Sequence, residues 1–138
     1  MNGMKRRTFI RHLLGMLGLG ANALAAKEYE TAVRQKSPPL KLATVRVAGL
    51  QYGACENESF APEEPLKLVR EPQNPHDHWA VRIECRGRKA GYIPHTHSRI
   101  VASLMDGGYR LRARVRYYHP ESESWERLWV SIWMEEKA

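Results

Sequence analysis

Two short segments rich in histidine carry the side chains best suited to chemistry. They are Asn74-Pro75-His76-Asp77-His78 and His95-Thr96-His97. Imidazole and carboxylate groups ligate zinc, and residues two apart on a strand face the same way. The weak candidates for metal ligands are His76, His78, His95 and His97. Since no further spacing marks a known site, we expect no resident metal or other cofactor, with zinc as the alternative.

Catalytic motifs are missing from the sequence. It contains no Gly-x-x-x-x-Gly-Lys phosphate loop and no Gly-x-Ser-x-Gly nucleophile elbow. A metal-dependent hydrolase that combines the histidines with Asp77 is the best enzymatic interpretation. Asn74 and Asp77 also have a structural interpretation, because such residues often hydrogen-bond the backbone of their own turn. We therefore expect a binding protein rather than an enzyme.

A second pattern alternates arginine with apolar residues from Tyr109 to Tyr117. Strand geometry places the four arginines on one face and the tyrosines, Leu111, Ala113 and Val115 on the other. If the segment pairs with residues 127–134, Arg112 and Arg114 share a face with Trp129 and Trp133. Guanidinium and indole groups together suit phosphates and stacked bases, although such a stripe can also be merely solvated.

Turn residues divide the rest of the chain into short elements. Strands are predicted at residues 40–47, 66–69, 79–86, 89–93, 109–118 and 127–134, and a helix within residues 98–105 that Gly107 and Gly108 terminate. This order predicts a mainly β fold, a small OB-like or SH3-like barrel of five or six strands with one or two short helices.

Residues 43–134 resemble the HIRAN domain. The resemblance rests on the order of the Val47-Ala48-Gly49-Leu50-Gln51-Tyr52 segment, the Asn74-Pro75-His76-Asp77 turn and the Ala90-Gly91-Tyr92-Ile93-Pro94 strand. It implies a barrel related to the oligonucleotide-binding fold, and a module that binds single-stranded DNA with a free 3′ end.

The resemblance also implies a binding pocket built from three segments. Its members in this chain are Gln51, Tyr52, Asn74, His76, Asp77, Tyr92, His95 and Arg99. Tyr52 would stack on the terminal base, Asn74 would read base edges or the sugar, and Asp77 would accept a hydrogen bond from the 3′-hydroxyl. His95 and Arg99 would contact phosphate.

Three positions depart from the family pattern. The chain has Gln51 and Gly53 where a basic residue and a second aromatic residue are often found, and His95 where lysine is common. A neutral histidine binds phosphate less well than lysine near pH 7.

The N-terminus has the organisation of an export signal. A cationic start that includes Arg6 and Arg7 precedes an apolar stretch at residues 13–19, and Ala23-Leu24-Ala25 supplies a small-x-small cleavage site. The arginine pair resembles a twin-arginine signal. The apolar stretch is too short for a stable membrane anchor. We expect a signal peptide at 1–26, a linker at 27–39 and the domain at 40–136.

Export would remove part of the positive charge of the chain and would change which partners the protein meets. The chain carries 22 basic and 15 acidic residues, and its first 26 residues hold four basic and no acidic ones, so the remainder has a net charge of +3. Bulk charge therefore gives little support to nucleic-acid binding. We expect a periplasmic protein, with a cytoplasmic location as the alternative. The competing function is an exported domain that recognises a periplasmic protein or a small ligand.

The two cysteines, Cys55 and Cys85, are thirty residues apart and form no metal motif. In an oxidising compartment they could form a disulfide. As free thiols they would act as small apolar residues.

Overall fold

The structure is a computed structural model that describes residues 23–28 and 38–137. Residues 23–28 are helical and belong to a different unit from the one that begins at Ser37. The remaining signal-peptide residues and most of the expected linker lie outside the described residues. None of the described helices is long and apolar enough to cross a membrane.

Six antiparallel strands form the larger unit. They are β1 (Leu40–Arg46), β2 (Pro65–Arg70), β3 (Val81–Cys85), β4 (Arg88–Tyr92), β5 (Tyr109–Tyr118) and β6 (Leu128–Lys137), in the spatial order β1-β6-β5-β2-β3-β4. Helix α1 (His95–Asp106) connects β4 to β5. Short 3-10 helices occupy Leu50–Tyr52 and Ser124–Glu126.

The two edges of this sheet are connected by the segment that follows β1. The N–H of Ala48 donates to the carbonyl of Tyr92, and the N–H of Tyr92 donates to the carbonyl of Ala48, both at 2.9 Å. Gly91 permits this approach, because a Cβ there would lie 2.4 Å from the Ala48 carbonyl oxygen. The bridge closes a small barrel-type fold, which confirms the predicted fold class.

The core lies on the inner face of the barrel, where alternate strand residues meet. Val81, Ile83 and Cys85 of β3 are fully buried, and Arg82 and Glu84 between them are only partly buried. From β5 and β6 the core receives Ala113, Val115, Leu128, Val130 and Ile132. Helix α1 adds Val101 and Ala102 and so covers one end of the barrel.

The predicted faces of β5 need one correction. The strand register shifts between Val115 and Tyr117. As a result Tyr117 is exposed, and Tyr118 packs against the core, where its ring contacts that of Phe60 edge-on at 5.4 Å. Strict alternation had placed Tyr117 on the apolar face. The extra residue of a bulge reverses that assignment.

Two predicted boundaries also differ from the structure. Helix α1 begins at His95, so His95 and His97 lie in its first turn and not in a loop. Strand β3 begins at Val81, and Trp79 belongs to the preceding turn.

Cys55 and Cys85 are both buried free thiols. Burial, together with the charge of the nearby Glu64, raises the pKa of the Cys85 thiol to about 11. Burial likewise raises the pKa of Cys55, whose thiol lies 3.8 Å from the Arg88 carbonyl. In the structure the two cysteines are therefore small residues of the core.

Candidate binding pocket

A pocket of about 310 Å³ opens between the turn before β3, the C-terminal half of β4 and the first turn of α1. Its lining residues are Ala48, Gly49, Asn74, His76, Asp77, Ala80, Lys89, Tyr92, Ile93 and His95. Five residues that the sequence predicted for a common site line this pocket, and they come from three separate segments. Since β3 and β4 are paired and Ala48 bridges to Tyr92, the barrel itself brings these segments together.

Asn74 shapes the turn that supplies one wall of the pocket. Its side-chain oxygen accepts from the backbone N–H groups of His76 at 2.9 Å and Asp77 at 3.2 Å. Its amide nitrogen donates to Glu71 at 3.1 Å. Both ends of the amide are therefore used inside the protein. Asn74 thereby positions Asp77, and the reading of base edges by Asn74 stays a prediction.

Asp77 divides its two carboxylate oxygens between the turn and the pocket. Oδ1 accepts from the backbone N–H of Trp79 at 2.9 Å. Oδ2 lies 3.4 Å from Nδ1 of His95, whose side chain is 87% exposed. Asp77 thus has the turn role that its residue type suggests, and one oxygen remains directed at the pocket. That oxygen can accept a hydrogen bond from a ligand hydroxyl.

Glu71 is not itself a lining residue, but it connects two residues that are, Asn74 and Tyr92. Its Oε1 accepts from Asn74 and from the Tyr92 hydroxyl at 2.9 Å, and its Oε2 accepts from Arg82 at 2.6 Å. Burial alone would raise the pKa of Glu71, but the hydrogen bonds from Asn74 and Tyr92 and the Arg82 charge hold it below its ordinary value. Burial and the hydrogen bond to Glu71 raise the pKa of Tyr92. An ionised Glu71 therefore fixes both Asn74 and the Tyr92 ring.

Lys89 is a pocket residue that the sequence did not single out. Its ammonium lies 4.6 Å from the centre of the Tyr92 ring, a favourable cation–π distance. Lys89, His76 and His95 give the pocket one ammonium group and two imidazole groups. The one available signal was a lysine three residues before Tyr92 in a predicted strand. Its relevance depended on the pairing of β4 with β3.

Tyr52 lies beside the pocket without lining it. The Tyr52 side chain is 82% exposed, and its ring is 3.9 Å from the position that a Cβ would occupy on Gly49. Gly49 itself has φ +73°, a left-handed conformation that favours glycine. Gln51 is half-buried, and its side-chain oxygen has no hydrogen-bond partner within the described part of the chain.

Gly53, the other departure from the family pattern, packs tightly against β4. A Cβ there would lie 2.6 Å from the Ala90 carbonyl oxygen. A larger residue at this position would displace the backbone. The absence of a second aromatic side chain here therefore has a steric reason.

Arg99 makes a contact within the protein that differs from the phosphate contact predicted for it. Its guanidinium is 5.4 Å from the centre of the Trp79 ring, and Arg70 lies on the same indole at 5.8 Å. Arg99 is absent from the pocket lining. It supports the turn through Trp79, and the expected phosphate contact by this residue remains a prediction.

Arg112 and Arg114 lie on the outer face of β5 and β6, away from the residues that line the pocket. In the strand register Arg112 is opposite Trp133, and Arg114 is opposite Ser131. Arg112 forms an ion pair with Glu135 at 2.9 Å. The structure thus separates the predicted nucleic-acid-binding residues into two groups.

The histidines form no metal site within residues 23–28 and 38–137, where no group of three or more potential ligands is close enough to hold an ion. His76 and His95 line the pocket, but His78 packs its ring against Trp79 at 4.6 Å. His97 contacts the Thr96 hydroxyl through Nδ1 at 2.9 Å.

Comparisons with known proteins give one family model and two solved structures of similar fold. The model of the HIRAN domain matches residues 41–137. A crystal structure of a protein from Lactobacillus plantarum has 26% identity and a TM-score of 0.64, and the match covers 72% of this chain and 97% of that one. The crystal structure of the HIRAN domain of human HLTF has 19% identity and a TM-score of 0.56 over 72% of this chain and 80% of that one. No curated protein matches the chain.

Proposed function

The chain belongs to the HIRAN domain family, and from that premise we propose that it is a non-catalytic module that binds single-stranded nucleic acid at a 3′ end. The observation that carries the proposal is the direction of the Asp77 carboxylate. One oxygen is held by the turn, and the other faces the pocket beside His95. A carboxylate in this position accepts a hydrogen bond from a terminal hydroxyl, which a continuous strand does not offer at that point.

The cations of the pocket suit the phosphate next to such an end. Lys89 lines the pocket with an ammonium group, and His95 adds a hydrogen-bonding imidazole. Helix α1 also begins at His95, and the first turn of a helix presents backbone N–H groups and a partial positive charge. Lys89 thereby supplies a lysine ammonium in the same pocket as His95, a position where lysine is common in the family pattern.

Tyr52 provides the surface for the terminal base. An exposed tyrosine ring next to a pocket is a stacking platform that accepts any base, since every base has a π-face. The Tyr92 hydroxyl is bound to Glu71, so this second ring stays fixed as the pocket wall. In this proposal Asp77 binds the terminal hydroxyl, Lys89 and His95 bind the phosphate, and Tyr52 stacks on the terminal base.

The experiment measures the affinity of the full 138-residue chain for a short 5′-labelled single strand by fluorescence anisotropy over a range of salt concentrations. Lys89→Gln should weaken binding and lower the dependence on salt by about 0.7 in the log–log slope, the value for one phosphate contact. Arg88→Gln is the matched control. Arg88 is the neighbouring residue on β4, and its guanidinium pairs with Glu58.

The two variants remove the same charge from adjacent positions. If both lower the slope equally, the effect is one of bulk charge and the pocket is not the site. Absence of binding by the unmodified chain at low salt would remove the nucleic-acid function itself.

A further inference from the structure

The outer face of β1, β6 and β5 carries a second arrangement of cations and aromatic rings. In the register of these strands, Trp133 lies between Lys41 of β1 and Arg112 of β5. Trp129 lies between Arg46 and Tyr117 in the same way. Each indole is thus flanked by a cation on one side and by a cation or an aromatic ring on the other. We call these residues, together with Arg114 opposite Ser131, the tryptophan face.

The indoles of this face are held in place. Trp133 donates its Nε1–H to the Ser131 hydroxyl at 3.0 Å, and Trp129 donates to the Glu126 carbonyl at 3.1 Å. Ser131, between the two tryptophans on β6, is 1% exposed. The Lys41 ammonium is 6.0 Å from the Trp133 ring centre. Both indoles are partly exposed, and the Cα positions of Trp129 and Trp133, four residues apart on one strand, are separated by about 13 Å, which gives two distinct positions for contact with a base.

The charge of the face is positive. Arg46 has Glu126 at 3.8 Å and Arg112 has Glu135 at 2.9 Å, whereas Arg114 has no carboxylate partner among the described residues and is exposed. Arg110 and Arg116 are exposed beside it, at the two irregularities of β5. Unpaired guanidinium groups next to fixed aromatic rings match a strand that presents phosphates and bases alternately.

We propose that the tryptophan face binds the interior of a single-stranded nucleic acid, with the backbone phosphates on the arginines and bases stacked on Trp129 and Trp133. The proposal deepens the proposed function, on which it rests for the class of ligand. It adds a site that requires no strand end. Charge complementarity selects a polyanion, and the aromatic rings select one with exposed bases over a duplex.

A circular single strand is the probe that separates this face from the pocket, since a circle has no terminus. The full chain should bind a labelled single-stranded circle, and binding should weaken as salt increases. Arg114→Gln should lower the log–log salt slope by about 0.7 and the affinity about fivefold at 0.1 M salt. Arg88→Gln, with the same loss of charge on β4, should leave circle binding unchanged.

Trp133→Leu tests the stacking component. This variant keeps an apolar side chain over Ser131, so thermal unfolding should confirm that the protein is folded. Its affinity for the circle should fall about fivefold or more at every salt concentration, with the slope unchanged, because stacking releases no counterions.

The outcomes separate the two sites. If a linear strand binds and the circle does not, the tryptophan face is not a nucleic-acid site and the 3′-end pocket is retained. An acidic protein surface would then be the better partner for the tryptophan face. A circle that binds as tightly as a linear strand with a free 3′-hydroxyl would retain the face and overturn the pocket. Circle binding that Arg114→Gln and Trp133→Leu both leave unchanged would also overturn the face.

Discussion

The carboxylate of Asp77 and the imidazole of His95 face each other at the pocket, with Oδ2 of one 3.4 Å from Nδ1 of the other. These residues are eighteen positions apart, on the turn before β3 and at the start of α1. Oδ1 of Asp77 is fixed by the Trp79 N–H, so the direction of Oδ2 follows from the turn. In the proposed function, Asp77 therefore combines a structural role through Oδ1 with a ligand-binding role through Oδ2.

Gly91→Ala should destabilise the barrel at its closing bridge. A Cβ at this position would lie 2.4 Å from the Ala48 carbonyl oxygen and 2.6 Å from the Val47 side chain. We expect a loss of about 1–3 kcal/mol in the free energy of unfolding, measured by urea denaturation, as for other overpacked sites. Gly87→Ala is the control for backbone strain, since Gly87 has φ +79° but nothing within 4 Å of its Cβ position. A Gly91 variant no less stable than the Gly87 variant would contradict the close approach.

Glu71→Gln should lower stability by an amount that depends on pH. The pKa of Glu71 is held below its ordinary value in the folded protein, despite burial, by Asn74, Tyr92 and Arg82. The ionised group therefore stabilises the fold above its unfolded pKa, near 4.5, and this contribution disappears as the pH falls through the folded pKa. We expect a loss of about 1–3 kcal/mol at pH 7, the range for hydrogen bonds to charged groups.

The pH dependence distinguishes this role from simple packing. The difference between the unmodified chain and Glu71→Gln should shrink when unfolding is measured at successively lower pH. Glu121→Gln, an exposed position in the turn after β5, controls for loss of one negative charge. If the stability difference between the two proteins stays constant down to pH 2, ionised Glu71 does not hold Asn74 and Tyr92 in place.

The sequence was sufficient to predict the elements, because local patterns determine them. The order of strands and turns correctly predicted a mainly β barrel-type fold. The bulge before Tyr117 could not be predicted from alternation. It depends on how β5 pairs with β6.

The site was predictable only in part, for a related reason. The family resemblance supplied residues of the turn, of β4 and of the start of α1, and five of them line one pocket. Lys89 and Glu71 were missed, because their roles arise from contacts across paired strands rather than from a motif. The use of Asn74 within the turn likewise depends on which hydrogen bonds its amide makes, which residue type alone leaves open.

The N-terminal residues should direct export. Of the predicted signal peptide at 1–26, the structure describes only residues 23–26. Residues 1–30 fused to a reporter are expected to carry it across the inner membrane. Replacement of Arg6 and Arg7 by lysine should abolish transport if the twin-arginine route is used. Transport that continues would indicate the general secretory route, and a reporter that stays in the cytoplasm would contradict export.

The most direct test of the 3′-end pocket compares two single strands that differ only at the 3′ terminus. The full chain should bind the strand with a 3′-hydroxyl about tenfold more tightly than the strand with a 3′-phosphate, because Asp77 accepts from a hydroxyl and repels a phosphate dianion. Asp77→Asn should remove most of that preference, and its side-chain oxygen can still accept from the Trp79 N–H and preserve the turn. Equal affinity of the unmodified chain for the two strands would contradict the account.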